Sequence, residues 1–320
     1  MLDLDRLRAL HAIAEHGSVS AAAEVLHVTT SAVSQQVAKL ERETGQKLLE
    51  RNGRGVRLTD AAELLVGHAH RILSLVERAQ ADLEAHRGAV VGELSLGAFP
   101  TAARGLVPSA LARLRREHPQ LRVRLHEYDP ADSIALVARG DLDLAIVQDW
   151  SHQPFVARHG LCKGAICDDI ADVALPADHP LAARDFVELR ELAADPWISS
   201  TAGTVCFDWL THTLRIGDSE PRIDHMAYEY ATQLALVAVG LGVAMLPRLG
   251  RGDVPPGVRV IPLRPSLTRR VYAIWREEAA RRPGIRAAVA AVRAVSPADP
   301  GELGPRPDAR GAGEGVHSGG

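Results

Sequence analysis

The chain has 320 residues, 46% of them apolar, and its 37 basic and 40 acidic side chains leave a net charge of −3. This suffices for two or three domains with their own cores and excludes a wholly basic nucleic-acid protein, so any nucleic-acid contact must come from local patches. No apolar run approaches membrane-spanning length and the start lacks the basic-then-apolar order of a signal peptide, so cytoplasmic residence with no membrane partner is expected. Arginine outnumbers lysine 34 to 3, a bias attributable to GC-rich coding sequence and not to function.

A first helix is expected from Leu4 to His16, with Leu7, Leu10 and Ile13 on one apolar face and Gly17 as its stop. Ser18 or Ser20 can cap a second helix in which Ala22, Ala23 and Leu26 face inward; the small alanines let two helices cross closely. Thr29 caps a third helix, sealed by Val33, Val37 and Leu40. That leaves Thr30, Ser31, Ser34 and Gln35 on its outer face, where side chains of a helix-turn-helix reach base edges in the major groove. Gln35 suits adenine N6 and N7, and the hydroxyls serve several bases. The bland alternative is two amphipathic helices with solvated faces. Residues 48–59 weigh against it, because two short strands around Asn52-Gly53 form a hairpin signal. Arg51, Arg54 and Arg57 would project from this wing toward phosphates or a minor groove. Thr29 and Lys39 complete the candidate DNA-contacting set.

Together these residues resemble the DNA-binding domain of LysR-type transcriptional regulators. The likeness rests on Ala22-Ala23, Val33-Ser34-Gln35-Gln36, Leu40-Glu41, Gly45, and the wing through Arg51, Arg57, Leu58 and Thr59. Two positions depart from the family's habit: Thr30 and Ser31 replace glutamine and proline, and Ala61-Ala62 replaces alanine-glycine. The first bears on base preference and the second favours a more regular following helix.

Thr59 to about Arg87 reads as one long helix with Leu58, Leu65, Ile72 and Ala79 spaced by sevens and Leu75, Val76 and Leu83 alongside. Such a stripe suits pairing with a second copy of the chain. From about Val90, strands alternate with helices. Strands are expected over 93–99, 121–128, 142–147, 171–176, 196–200 and 271–275, with a helix over 101–117 and a buried helix, glycine turn and short strand over 234–246. Two α/β lobes joined by two crossings would enclose a cleft. This half resembles the LysR-type effector domain, through 94–108, 140–146, 179–182 and 239–247. The resemblance implies a winged helix-turn-helix over 1–60, a linker and dimerisation helix over 61–89, and an effector domain of the type 2 periplasmic-binding-protein-like fold over 90–295. Lobe I would take 90–163 plus 267–295, lobe II 164–266, and 296–320 would be a disordered tail.

In the cleft, a helix start near Phe99 and Thr101 offers a hydroxyl and free N–H groups to an anion such as a carboxylate. Ser199, Ser200, Thr201 and Thr204 repeat the arrangement in the opposite lobe. Gln148 and Trp150 follow the third strand, with Tyr228 and Phe207 as apolar contacts. Helix capping and core packing are the ordinary explanations for each of these residues taken singly. Cys206 lies near where peroxide-sensing relatives keep a reactive cysteine, yet no second cysteine follows it closely. His68 and His70 face different sides of a helix and make a poor metal pair. No metal or cofactor is expected. The expected function is therefore a sequence-specific, double-stranded-promoter-binding transcription factor. It would be a dimer or tetramer, modulated by a small-molecule co-inducer, with RNA polymerase as a further partner. The rival is a clamshell binding protein or enzyme whose N-terminal helices serve only assembly. Against it, no convergent acid, base and nucleophile set is visible.

Overall fold

The computed structural model describes residues 2–52, 55–150, 160–215 and 221–297. Helix α1 (Leu4–His16) is capped by Asp3, whose carboxylate accepts the N–H groups of Asp5 and Arg6, and it ends on Gly17 at φ 71°. Helix α2 (Val19–Val25) is capped by Ser18, not Ser20. Helix α3 (Thr30–Thr44) is capped by Thr29, whose hydroxyl accepts the Ala32 N–H at 3.1 Å. Leu7, Leu10, Ile13, Ala22, Ala23, Val33, Val37 and Leu40 close one core, as their spacing predicts. Strands β1 (Leu49–Asn52) and β2 (Gly55–Leu58) pair antiparallel to make the wing.

Glu41 fixes the wing to α3. Its Oε1 accepts the N–H groups of Leu48 and Leu49 at 2.9 and 3.3 Å, and Lys47 Nζ lies 3.2 Å from Oε2. Burial alone would raise this carboxyl's pKa; the two N–H groups and Lys47 outweigh it and hold the pKa below the ordinary value.

Helix α4 (Asp60–Arg87) is the single long helix expected, capped by Thr59. Its apolar stripe is placed differently. Leu58 and Leu65 pack on the N-terminal core, and the exposed seam runs through Leu64, Ile72, Leu75 and Leu83. The reason is that α4 must first dock on α1, which turns the Leu58/Leu65 side inward and leaves the adjoining side free.

The sensor half is built from β3 (Gly92–Ala98), α5 (Pro100–Gly105), α6 (Val107–Glu117), β4 (Leu121–Glu127), α7 (Pro130–Arg139) and β5 (Leu144–Trp150). It continues with β6 (Leu161–Pro176), β7 (Trp197–Ser199), α8 (Val205–Leu214), β8 (Ile223–Met226), α9 (Tyr230–Ala238) and β9 (Val243–Pro247). It closes with β10 (Val258–Ile261), β11 (Leu267–Arg276) and α10 (Pro283–Ala294). The helix expected over 101–117 is two helices, divided at Leu106. The strand order is β4-β3-β5-β11-β6-β9-β7-β8, with β10 on β6.

The two largest cores along this sheet lie one in each half. One gathers Leu94, Leu96, Leu106, Leu114, Ile146 and Ile285, the other Trp150, Val173, Trp197, Trp209 and Leu210. The crossings between lobes are not loops: β6, 16 residues long, and β11, 10 residues long, run unbroken through both. Leu267–Ala171 and Arg276–Leu161 are ladder partners at the two ends. The lobe boundary expected at 163/164 therefore falls inside a strand, where the β6–β11 ladder satisfies the backbone groups of both crossings.

Arginines after the cleft grip the linker. Arg276 Nε lies 3.1 Å from both carboxylate oxygens of Glu77, Arg281 pairs with Asp82 at 2.9 Å, and Arg282 reaches Glu84 at 3.3 Å and also Asp143. The segment expected to form a mobile tail lies outside the described residues from 298 onward.

Candidate nucleic-acid interface and effector cleft

Thr30, Ser31, Ser34, Gln35 and Lys39 are all exposed on α3. The face follows from the core: with Val33, Val37 and Leu40 turned inward at helical spacing, these positions must point away. Thr29 is exposed too, and its oxygen is engaged in the cap. In the wing Arg57 stands opposite Glu50, and its guanidinium donates to that carboxylate at 2.9 Å. This exposed pair is held weakly and can be exchanged for a phosphate. Arg51 lies on β1 opposite Val56. Arg54 lies outside the described residues.

The cleft is organised by a residue that motif reading missed. Arg269, in β11, is 1% exposed and pairs with Asp169 of β6, which is 0% exposed. Its Nε donates to Asp169 Oδ2 at 2.7 Å, Nη2 donates to Thr101 Oγ1 at 2.7 Å, and Nη1 donates to Gln148 Oε1. Asp169 Oδ1 in turn accepts the Leu249 N–H at 2.9 Å. Burial opposes the charge on Arg269, and the adjacent Asp169 more than offsets it, so its pKa is raised. The only signal in the sequence was charge inside apolar strands, and the partners stand 100 residues apart.

This network reaches the helix start at which an anion site is expected. Helix α5 has only six residues and no side-chain cap, and the Thr101 hydroxyl oxygen accepts from Arg269. Phe99 and Thr101 are both 2% exposed. Gln148 and Trp150 belong to β5 itself, not to a loop after it. Gln148 Nε2 donates to Cys206 Sγ at 3.3 Å, joining β5 to α8.

Two small adjoining chambers remain, each of about 20 Å³. The outer is lined by Phe99, Thr101, Asp129, Gln148, Tyr228 and Arg269 among others. The inner is lined by Trp150, Ser199, Trp209 and Gln233 among others, and the two share Ser200, Cys206 and Tyr230. Thr201 and Thr204 line neither. Thr201 is exposed and Thr204 caps α8 through the Phe207 N–H, because that helix needs a hydroxyl acceptor at its first turn. Phe207 lines neither chamber.

Burial pushes up the Cys206 thiol, and Arg269 only partly counters it. The group is thus held as a thiol at neutral pH, whereas reactivity requires a thiolate. Cys162, Cys167 and Cys206 are all free. Among the described residues no group of His, Cys, Asp and Glu is placed to hold a metal, and no helix is long and apolar enough to cross a membrane.

A helix-turn-helix with a wing, a long linker helix and a two-lobed domain joined by two through-strands define a DNA-binding regulator with a sensor module. Residues 4–63 match the bacterial regulatory helix-turn-helix proteins of the lysR family, and residues 87–297 match the LysR substrate binding domain. The chain belongs to the LysR family of transcriptional regulators. It is 31% identical over 250 residues to the uncharacterized HTH-type transcriptional regulator YnfL of Escherichia coli K12, covering 77% of this chain and 82% of that protein. It is 35% identical over 189 residues to a probable RuBisCO transcriptional regulator of Chlorokybus atmophyticus; that match spans 59% of this chain and only 60% of the relative's length. A full-length OxyR variant from Pseudomonas aeruginosa superposes with a TM-score of 0.68 at 26% identity, covering 92% of this chain and 98% of that one. CbnR, at 24% identity and a TM-score of 0.52, shares the fold.

Proposed function

We propose that the chain is a cytoplasmic regulator that binds promoter DNA as a dimer or tetramer, with RNA polymerase as a further partner, and takes a small-molecule effector between its lobes. The domains are assigned as 1–60, 61–89 and 90–295, the last divided into lobes on either side of the β6/β11 pair. Thr29, Thr30, Ser31, Ser34, Gln35, Lys39, Arg51, Arg54 and Arg57 form the DNA-contacting set. Phe99, Thr101, Gln148, Trp150, Ser199, Ser200 and Tyr228 face the effector, joined now by Arg269, Asp129 and Tyr230. The observation that carries the DNA assignment is the fully outward cluster of α3, braced against the wing through Glu41. The exposed seam of α4 supports self-association.

Genomic fragments selected by the protein supply the operator for the test. Gln35→Ala is expected to lower affinity for that operator by about 1–3 kcal/mol and to relax base preference at one position. Lys39→Ala is expected to weaken specific and random DNA alike and to flatten the salt dependence. If the wild-type protein selects no common sequence, or if Gln35→Ala lowers binding to random DNA equally, the assignment fails.

A further inference from the structure

The cleft's charges point away from the carboxylate that helix-start reasoning favours. Among the described residues lining the two chambers, only Arg269 and Asp129 carry charge. Arg269 is already satisfied: its guanidinium is neutralised by Asp169 and its remaining donors go to Thr101 and Gln148. A carboxylate entering here would have to compete with Asp169 for a buried cation.

Asp129 is in the opposite position. It caps α7 through the Ala131 N–H at 3.1 Å, and the Val205 N–H at the start of α8 also stabilises it. No cation pairs with it among the described residues. Burial, with Asp132 and Asp208 nearby, raises its pKa. Tyr228, on the facing lobe, is pushed up to about 12 by its own burial and then by Asp129 and Glu127. Among the described residues the cleft therefore carries a carboxylate with no paired cation beside a phenol ring.

An independent observation lies deeper. Ser199 Oγ and Trp150 Nε1, in residues 3% and 2% exposed, have no hydrogen-bond partner. Both residues line the inner chamber. Buried polar groups are ordinarily satisfied, so an orphan N–H and an orphan hydroxyl on two residues lining one chamber favour an occupant that carries an oxygen. Each chamber of about 20 Å³ has room for one water-sized group, so the occupant must be small in this closed arrangement.

We propose that the effector is a small hydroxylated amine, whose ammonium sits between Asp129 and Tyr228 and whose oxygen reaches Ser199 and Trp150. This rests on the reading of the cleft as the effector site. An ammonium there gains a charge-assisted bond and the face of an aromatic ring. It also bridges the lobes, since Asp129 precedes α7 in one and Tyr228 precedes α9 in the other. The closed arrangement then gains the differential affinity that a switch requires.

Ethanolamine, ethylene glycol and glycolate form a matched set differing mainly in charge, and each can be titrated into the full-length protein by calorimetry and melting. Ethanolamine is expected to bind and raise the melting temperature, with the other two weaker. Asp129→Asn keeps a capping side chain, so the fold is retained, and it should weaken ethanolamine about tenfold or more, the loss of one charged contact. Ser199→Ala should weaken it less. Preference for glycolate that Ser199→Ala diminishes would overturn the amine while leaving the cleft as the effector site. Ethanolamine binding indifferent to both substitutions would overturn both readings. Silence from all three compounds would overturn the amine assignment alone.

Discussion

Replacing Arg269 by methionine keeps most of the side chain's volume while removing its charge and all its donors. Asp169 would lose two contacts at 2.7 Å and keep only the Leu249 N–H at 2.9 Å, with no exposure to water. Thr101 and Gln148 would each lose a donor as well. Leaving one member of a buried ion pair unpaired costs about 3–5 kcal/mol. At about 2–4 °C per kcal/mol for a domain of this size, the melting temperature of the sensor half should fall by roughly 6–20 °C. The measurement is calorimetric unfolding of the full chain, with tryptophan fluorescence followed alongside it; Trp150 of β5 and Trp209 of α8 stack with ring centroids 3.8 Å apart. Adding Asp169→Asn removes the stranded charge yet keeps an acceptor for Leu249, so the double variant should recover at least half of the loss. A single variant that melts within about 1 kcal/mol of wild type, or a double variant no better than the single, would refute the account of the cleft as built around this pair.

His11 stacks on His70 with ring centroids 5.6 Å apart, and its pKa is lowered by burial first, with His70 and His16 adding to it and Glu15 opposing. The unfolded chain therefore takes up this proton more readily than the folded one. Stability should be complete above pH about 6.5 and fall as pH drops below it, a dependence that His11→Gln should flatten in melting curves. The Arg276–Glu77 pair, with side chains 12% and 28% exposed, should show a coupling of about 1 kcal/mol in a double-mutant cycle. Loss of either partner should speed tryptic cutting between linker and sensor; equal cutting rates would argue against a clasp. Leu75→Glu with Leu83→Glu places charges on the exposed seam of α4 and should shift the protein toward monomer in sedimentation, with α-helical content unchanged.

Local chemistry was readable where local chemistry decides. Ser18 and Thr29 cap the helices that follow and Gly17 ends α1 in the left-handed region, as residue type and spacing predict; Asp3 and Thr59 are further caps of the same kind. The outward set on α3 follows from the same periodicity. The hydroxyls of the cleft were harder. Ser or Thr before a helix can serve a ligand or its own backbone, and only three-dimensional placement separates Thr204, which caps, from Ser199, which has no partner. Arg269 and Asp169 escaped because their meaning is relational: each is an ordinary charged residue until β11 lies against β6. The stripe on α4 was seen but misplaced by a fraction of a turn, since period alone does not say which side docks first.

The paired strands β6 and β11 also carry a lesson about exchangeability. Ala171 and Leu267 are ladder partners, so the intervening stretch, which adds β7 to β10 to the sheet, begins and ends at neighbouring positions. Most of lobe II is in effect a long insertion mounted on a closed two-stranded stem. Arg276 is the last residue of that stem, and Arg281 and Arg282, which also hold the linker, lie beyond it. The lobe II share of the cleft and the contacts to the linker are thus encoded in separable stretches of chain, while Asp129, Gln148, Asp169 and Arg269 stay with the rest of the sensor. A graft cut at 171 and 267 could import another regulator's lobe without disturbing a single contact to the linker helix.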